Sequence, residues 1–160
     1  MFRAPIDRTP EGDFRLRLSH DERELLRRLL AEFRALLDDE ASNPMLRRLF
    51  PPGYEDDVEG ETEYRRLMHD ELLAGRREAL RTLEATSGRE RLRKEELHAW
   101  LGALNDLRLV LGERLGVTEE VYEREFDPHD PEAYELAVYA YLSWLQEQVV
   151  EAATTTLPGN

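Results

Sequence analysis

The stretch from Leu97 to Leu115 constrains the fold more than any other part of the chain. An α-helix turns by about 100° per residue. With Leu97 set at zero, Leu101 falls at about 40°, Leu104 at about −20°, Leu111 at about −40° and Leu115 back at about zero. Leu109 and Val110 lie on other sides, so this helix is apolar nearly all round. A helix with no polar face belongs at the centre of its fold. The predicted span is Lys94 to Leu115, closed by Gly116 as a C-terminal cap, with a poor N-cap.

Arg108 breaks the pattern. It falls at about 20°, in the middle of the apolar face, while Asn105 lies at about 80° and Gly112 at about 60°. Asp106, at about 180°, is expected to point away. A guanidinium taken out of water needs a partner. Glu71 and Glu78, beside the apolar face of the preceding helix, are the leading candidates, and Gln148 on the last helix is placed to add a hydrogen bond. One reading is a structural arginine in a satisfied network. The other is a small anion pocket lined by Asn105 and Arg108, with Gly112 giving room. The structural reading carries more weight, because a pocket needs a cleft. In either case Arg108→Leu should behave differently from Arg108→Ala.

The remaining elements surround this helix. Ser19 with Glu22 three residues on is a capping box, and apolar residues from Leu25 to Leu37 follow at helical spacing, predicting a helix over 20–38. Asn43-Pro44 opens a short helix carrying Met45, Leu46 and Leu49, stopped at Pro51-Pro52-Gly53, and an acidic loop follows from Tyr54 to Glu61. The next helix is expected over 62–83, with Tyr64, Met68, Leu72, Ala79 and Leu83 inward and Gly75 allowing close contact. Asp130 and Pro131 start the last helix, over 131–153, with a stripe of Tyr134, Val138, Tyr141, Leu145 and Val149. Thr118 to Tyr122 reads as one helical turn. Two short strands, Phe14–Leu18 and Arg91–Arg93, precede long helices. The expected fold class is all-α: a compact bundle of four to five helices around the central one, with a minor two-stranded β element. Residues 1–13 read as an extended arm, 14–153 as a single helical domain and 154–160 as a flexible tail.

Composition narrows the chemistry. The 160 residues hold 35 Asp and Glu against 22 Lys and Arg, a formal charge of −13. That charge repels phosphate backbones, so nucleic-acid binding is disfavoured unless arginines gather on one face. The best places for such a patch are Arg27, Arg28 and Arg34, or Arg89, Arg91, Arg93 and Lys94. Arginine pairs well with carboxylates, and surface Glu–Arg pairing is the plainer expectation. There is no cysteine, which removes disulfides, thiolate zinc sites and thiol nucleophiles. His20, His69, His98 and His129 are too scattered for a metal motif, no phosphate loop or nucleophile elbow is present, and no carboxylate pair stands out. No metal, cofactor or catalytic residue is therefore expected. There is no secretion signal and no membrane-spanning run, so a cytoplasmic protein is expected. Tyr139 is the best candidate for an exposed aromatic, and with Leu136 it is the expected partner surface. A homodimer is open.

The string Trp100 to Thr118, WLGALNDLRLVLGERLGVT, resembles the signature of an actinobacterial domain of unknown function, family 2017. Glu63-Tyr64-Arg65-Arg66-Leu67 is similar to the start of that family's middle helix, and Ala137-Val138-Tyr139 with Trp144-Leu145-Gln146-Glu147 to its last. The match runs from about Phe14 to Ala153. It implies a small, mainly helical cytoplasmic protein. Genes of the family tend to lie beside that of the adaptor for amino-terminal degrons of the Clp protease. Some members are described as transcriptional regulators of oxidative stress, a role that presumes redox-active cysteines, which this chain lacks. The expected function is a non-enzymatic regulator or adaptor acting through a protein partner, in transcription or regulated proteolysis. The alternatives are a DNA-binding regulator and an anion-binding protein that uses Arg108.

Overall fold

The computed structural model describes residues 4–38, 62–116, 129 and 131–154. The elements run β1 (Ile6–Arg8), β2 (Phe14–Leu16), α1 (His20–Asp38), α2 (Thr62–Thr86), β3 (Arg91–Leu92), α3 (Lys94–Leu115) and α4 (Pro131–Thr154). α3 packs against α2 on one side and α4 on the other, the two most extensive helix contacts. It is the central helix that its all-round apolarity demands. Trp100, Ala103 and Leu104 on it are fully buried among Leu83 of α2 and Leu142, Leu145 and Val149 of α4. The Trp100 indole donates to the Thr86 hydroxyl at 2.7 Å, which satisfies the one polar atom of the largest core side chain. Gly116 ends α3 in the left-handed conformation, φ 62°, as a C-terminal cap requires.

α1 begins at the capping box. Glu22 N–H donates to Ser19 Oγ, and Ser19 N–H to Glu22 Oε1, both at 3.1 Å. Leu26, Leu30, Phe33 and Leu37 then bury one face, spaced three and four apart.

The β element has three strands rather than two, in the order β1-β2-β3, all antiparallel. The third comes from the stretch expected to be an arm. Ile6 pairs with Leu16 and Arg8 with Phe14, and Gly12 at φ 94° makes the turn between them. Ile6, Phe14, Leu16 and Leu92 are buried, while Arg15 faces outward. The sheet thus closes the core beside α4 with one apolar face.

Other expectations shift. The buried stripe of α4 is Val138, Leu142, Leu145, Val149 and Ala152, rotated away from Tyr134 and Tyr141. α2 runs on to Thr86, and Gly75 on it is exposed, with nothing near enough to need its missing side chain. The short helix at 43–50, the acidic loop at 54–61, the turn at 118–122 and the tail from 155 lie outside the described residues.

Candidate functional site

Asn105 and Arg108 are both half-buried on α3, one turn apart. Arg108 Nη2 donates to Asn105 Oδ1 at 3.3 Å, and Gln146 Nε2 of α4 donates to the same oxygen at 3.2 Å. The amide of Asn105 therefore ties Arg108 to α4. None of the three expected partners does so. Glu71 is exposed. Glu78 is exposed as well, and accepts from Arg81 of its own helix, Nη2 at 2.6 Å and Nε at 3.2 Å. Gln148 is half-buried and makes no side-chain hydrogen bond among the described residues. Geometry gives the reason: Gln146 and Gln148 flank the buried stripe of α4 on opposite sides, about 80° off its axis, and only the Gln146 flank meets Asn105. No carboxylate forms an ion pair with Arg108 among the described residues, and its Nε is buried without a hydrogen bond.

The acid that α3 does bury is Asp106, expected to point away and in fact 3% exposed. α2 covers that side of α3, and Arg76 of α2 bonds to the Asp106 carboxylate. Burial pushes the Asp106 carboxyl above its ordinary value, and the Arg76 charge only partly offsets that. At the start of α3, Glu96 carries the opposite shift. Burial alone would raise it. The Arg93 backbone N–H at 2.8 Å, with the guanidiniums of Arg93 at 3.4 Å and Arg89 at 3.0 Å, outweighs burial and holds the carboxyl below its ordinary value. Glu96 is also the N-terminal cap that the sequence hid: its side chain reaches back to the Arg93 N–H, three residues upstream.

Most arginines of the two proposed cationic patches are engaged locally. Arg27 pairs with Glu24 at 2.9 Å, Arg34 with Glu84, and Arg89 and Arg93 with Glu96. Arg28 meets an aromatic. It donates to the Tyr134 hydroxyl and lies over the ring, 5.9 Å from its centroid.

That contact marks a surface. Tyr134 is 57% and Trp144 43% exposed. With Tyr141 they occupy a sector of about 80° on α4. The Tyr141 and Trp144 rings lie 5.9 Å apart and tilted by 40°. The Tyr141 hydroxyl donates to Glu22 of α1 at 2.6 Å, and burial, reinforced by that carboxylate, drives the phenol to stay protonated. The expected surface pair sits elsewhere. Tyr139 packs half-buried on the core, its ring over Gly112, where a Cβ would lie 3.0 Å from Cε2. Leu136 is half-buried too. Gly112 gives room, as expected, but to a tyrosine ring rather than to an anion.

No group of three or more His, Asp or Glu placed to hold a metal occurs among the described residues. No helix of the described residues is long and apolar enough to cross a membrane.

The family model for a domain of unknown function (DUF2017) matches residues 2–153. The chain is 31% identical over 176 aligned positions to the protein of Mycobacterium tuberculosis named oxidative stress regulator AosR, covering 86% of this chain and 80% of that protein. The protein of the same name from Mycobacterium bovis matches to the same extent, 31% over 176 positions. No solved structure matches the chain.

Proposed function

The chain belongs to the DUF2017 family, and we propose that it is a non-enzymatic regulatory protein that contacts another protein through the surface where α4 meets α1. The observation that carries this reading is the pair of large aromatics held in solvent there, Tyr134 and Trp144, with Arg28 beside them. Tyrosine, tryptophan and arginine are the residues that most often dominate binding energy at protein interfaces. Their anchoring also fits. Arg28 fixes the Tyr134 ring and Tyr141 backs Trp144, so little side-chain freedom is left to lose on association.

A regulatory role agrees with the name carried by the mycobacterial relatives. In this chain a response to oxidant cannot run through a thiol, since it has no cysteine. Regulation then lies in the contact itself, in the cytoplasm. The charge of −13 suits a partner that presents a basic face.

The test uses the intact chain as bait in native lysate, with and without nuclease, beside the double variant Tyr134→Ala/Trp144→Ala. A protein retained in stoichiometric amount after nuclease, and held about thirtyfold or more weakly by the variant, is the expected result. Circular dichroism of the variant checks that its fold is intact. Equal retention by the variant sinks this surface. A catch that disappears with nuclease replaces the reading with a nucleic-acid one.

A further inference from the structure

The outer face of the sheet holds a cluster of arginines that the proposed regulatory surface does not use. Arg15, at the middle of the central strand, sits opposite Arg91 of β3 on one side and Asp7 of β1 on the other. Arg17 projects on the same side, because Leu16 and Leu18 are buried to either side of it. Leu16 N–H donates to the Glu90 carbonyl at 2.8 Å, which brings Glu90 up against β2. Arg23, from the first turns of α1, reaches across to the same place. Together Arg15, Arg17, Arg23 and Arg91, with Glu90, line a cleft of about 440 Å3.

Three of these guanidiniums are fixed from behind. Arg17 uses Nη1 on Asp7, at 2.7 Å, and on the Ala4 carbonyl. Arg91 uses Nη1 on Asp13, at 3.4 Å, and on Glu11, at 4.0 Å. Arg23 uses Nε on the Leu18 carbonyl, at 3.1 Å, and Nη1 on the carbonyls of Ser87 and Arg89. Nη2 of each, and the whole guanidinium of Arg15, make no hydrogen bond among the described residues. Arg15 and Arg23 have no carboxylate partner there either, and Glu90 is the one carboxylate that lines the cleft itself, since Asp7, Glu11 and Asp13 hold Arg17 and Arg91 from behind. Three of the four donors are thus held in position while their outer nitrogens stay open, which lowers the entropic cost of binding an anion.

We infer that this cleft binds a small phosphorylated ligand. Several convergent guanidiniums match a phosphoryl group, with three acceptor oxygens, better than a carboxylate, whose two oxygens one arginine already satisfies. Size follows from screening. At physiological salt, fields fade over about 8 Å, so a compact anion in the cleft senses the local arginines. A polyanion extends beyond that range over a surface with a formal charge of −13 and is repelled.

The probes are inorganic phosphate, pyrophosphate and a nucleoside monophosphate, titrated calorimetrically at fixed ionic strength into the intact chain. Three variants accompany it: Arg15→Ala, Glu90→Gln, and Arg27→Ala as a control of equal charge change on α1. The expected result is saturable binding of at least one probe, weakened about tenfold or more by Arg15→Ala, tightened by Glu90→Gln and unmoved by Arg27→Ala. Preference among the probes shows whether free phosphate or an esterified one is bound. Each of three outcomes overturns the inference: no saturable binding at millimolar probe, equal weakening by Arg27→Ala, or binding of duplex DNA through Arg15 with no binding of the small probes.

Discussion

At the scale of single residues, Arg108 shows how a charge can be kept inside an apolar helix without a counter-ion. It is half-buried on a helix face that carries Leu101, Leu104, Leu111 and Leu115, its Nη2 meets Asn105, and no acid answers it among the described residues. Removing such a group strands nothing that is charged. Arg108→Leu is therefore expected to fall within about 1 kcal/mol of the parent chain or above it. Arg108→Ala loses the packing of the stem as well and should be less stable than the leucine variant. Asn105→Ala removes the acceptor shared by Arg108 and Gln146 and should cost about 1–3 kcal/mol. Urea unfolding of the three variants checks the order. A leucine variant as damaged as the asparagine one would mean that a carboxylate does depend on Arg108.

At the scale of elements, the joint between α1 and α4 passes through Glu22. One oxygen of that carboxylate caps α1 through the Ser19 N–H, and the other accepts the Tyr141 hydroxyl. Ser19→Ala should cost about 1 kcal/mol, an ordinary N-cap loss. Glu22→Ala should cost more, because it also leaves a half-buried phenol without its acceptor. A double-mutant cycle of Glu22→Ala with Tyr141→Phe, read by chemical denaturation, should return a coupling of about 0.5–3 kcal/mol. Coupling near zero would reduce Glu22 to a cap alone. The cap was legible because Ser19 and Glu22 are neighbours in sequence, and so were the helices, whose leucines repeat at fixed spacing. Contacts across elements were not. The periodicity of α4 admits tyrosine into its stripe, yet the polar tips of Tyr134 and Tyr141 turn to Arg28 and Glu22 and rotate the helix so that Leu142 takes the core. β1 carries a single buried apolar residue, Ile6, and is held by backbone pairing that no side-chain pattern announces. Charge alone points to Glu71 and Glu78 as the leading partners of Arg108, with Gln148 adding a hydrogen bond. The structure supplies the Asn105 amide instead, itself bonded by Gln146, while Glu71 and Glu78 sit on the side of α2 that faces water.

At the scale of the whole molecule, α3 carries two buried carboxylates that bind protons in opposite senses, so its start and its middle respond oppositely to pH. Asp106 has a folded-state value raised above its ordinary 3.8. The folded chain holds that proton more tightly than the unfolded one, so its contribution is full below about 3.8 and is lost as pH rises through the folded value. Glu96 has a folded-state value lowered from its ordinary 4.5. Its contribution is full above 4.5 and is lost as pH falls through the folded value. A bulk pH scan would hide both beneath the 35 acids of the chain, since the repulsion among them also changes as they protonate. Difference curves remove that background. The stability of the parent chain minus that of Asp106→Asn should fall with rising pH across the carboxylate range, and the same difference for Glu96→Gln should rise. Parallel slopes would mean that Arg76 outweighs burial at Asp106. The cap that starts α3 and the ion pair that joins its middle to α2 would then respond to acid together, and neither would be strengthened by acid.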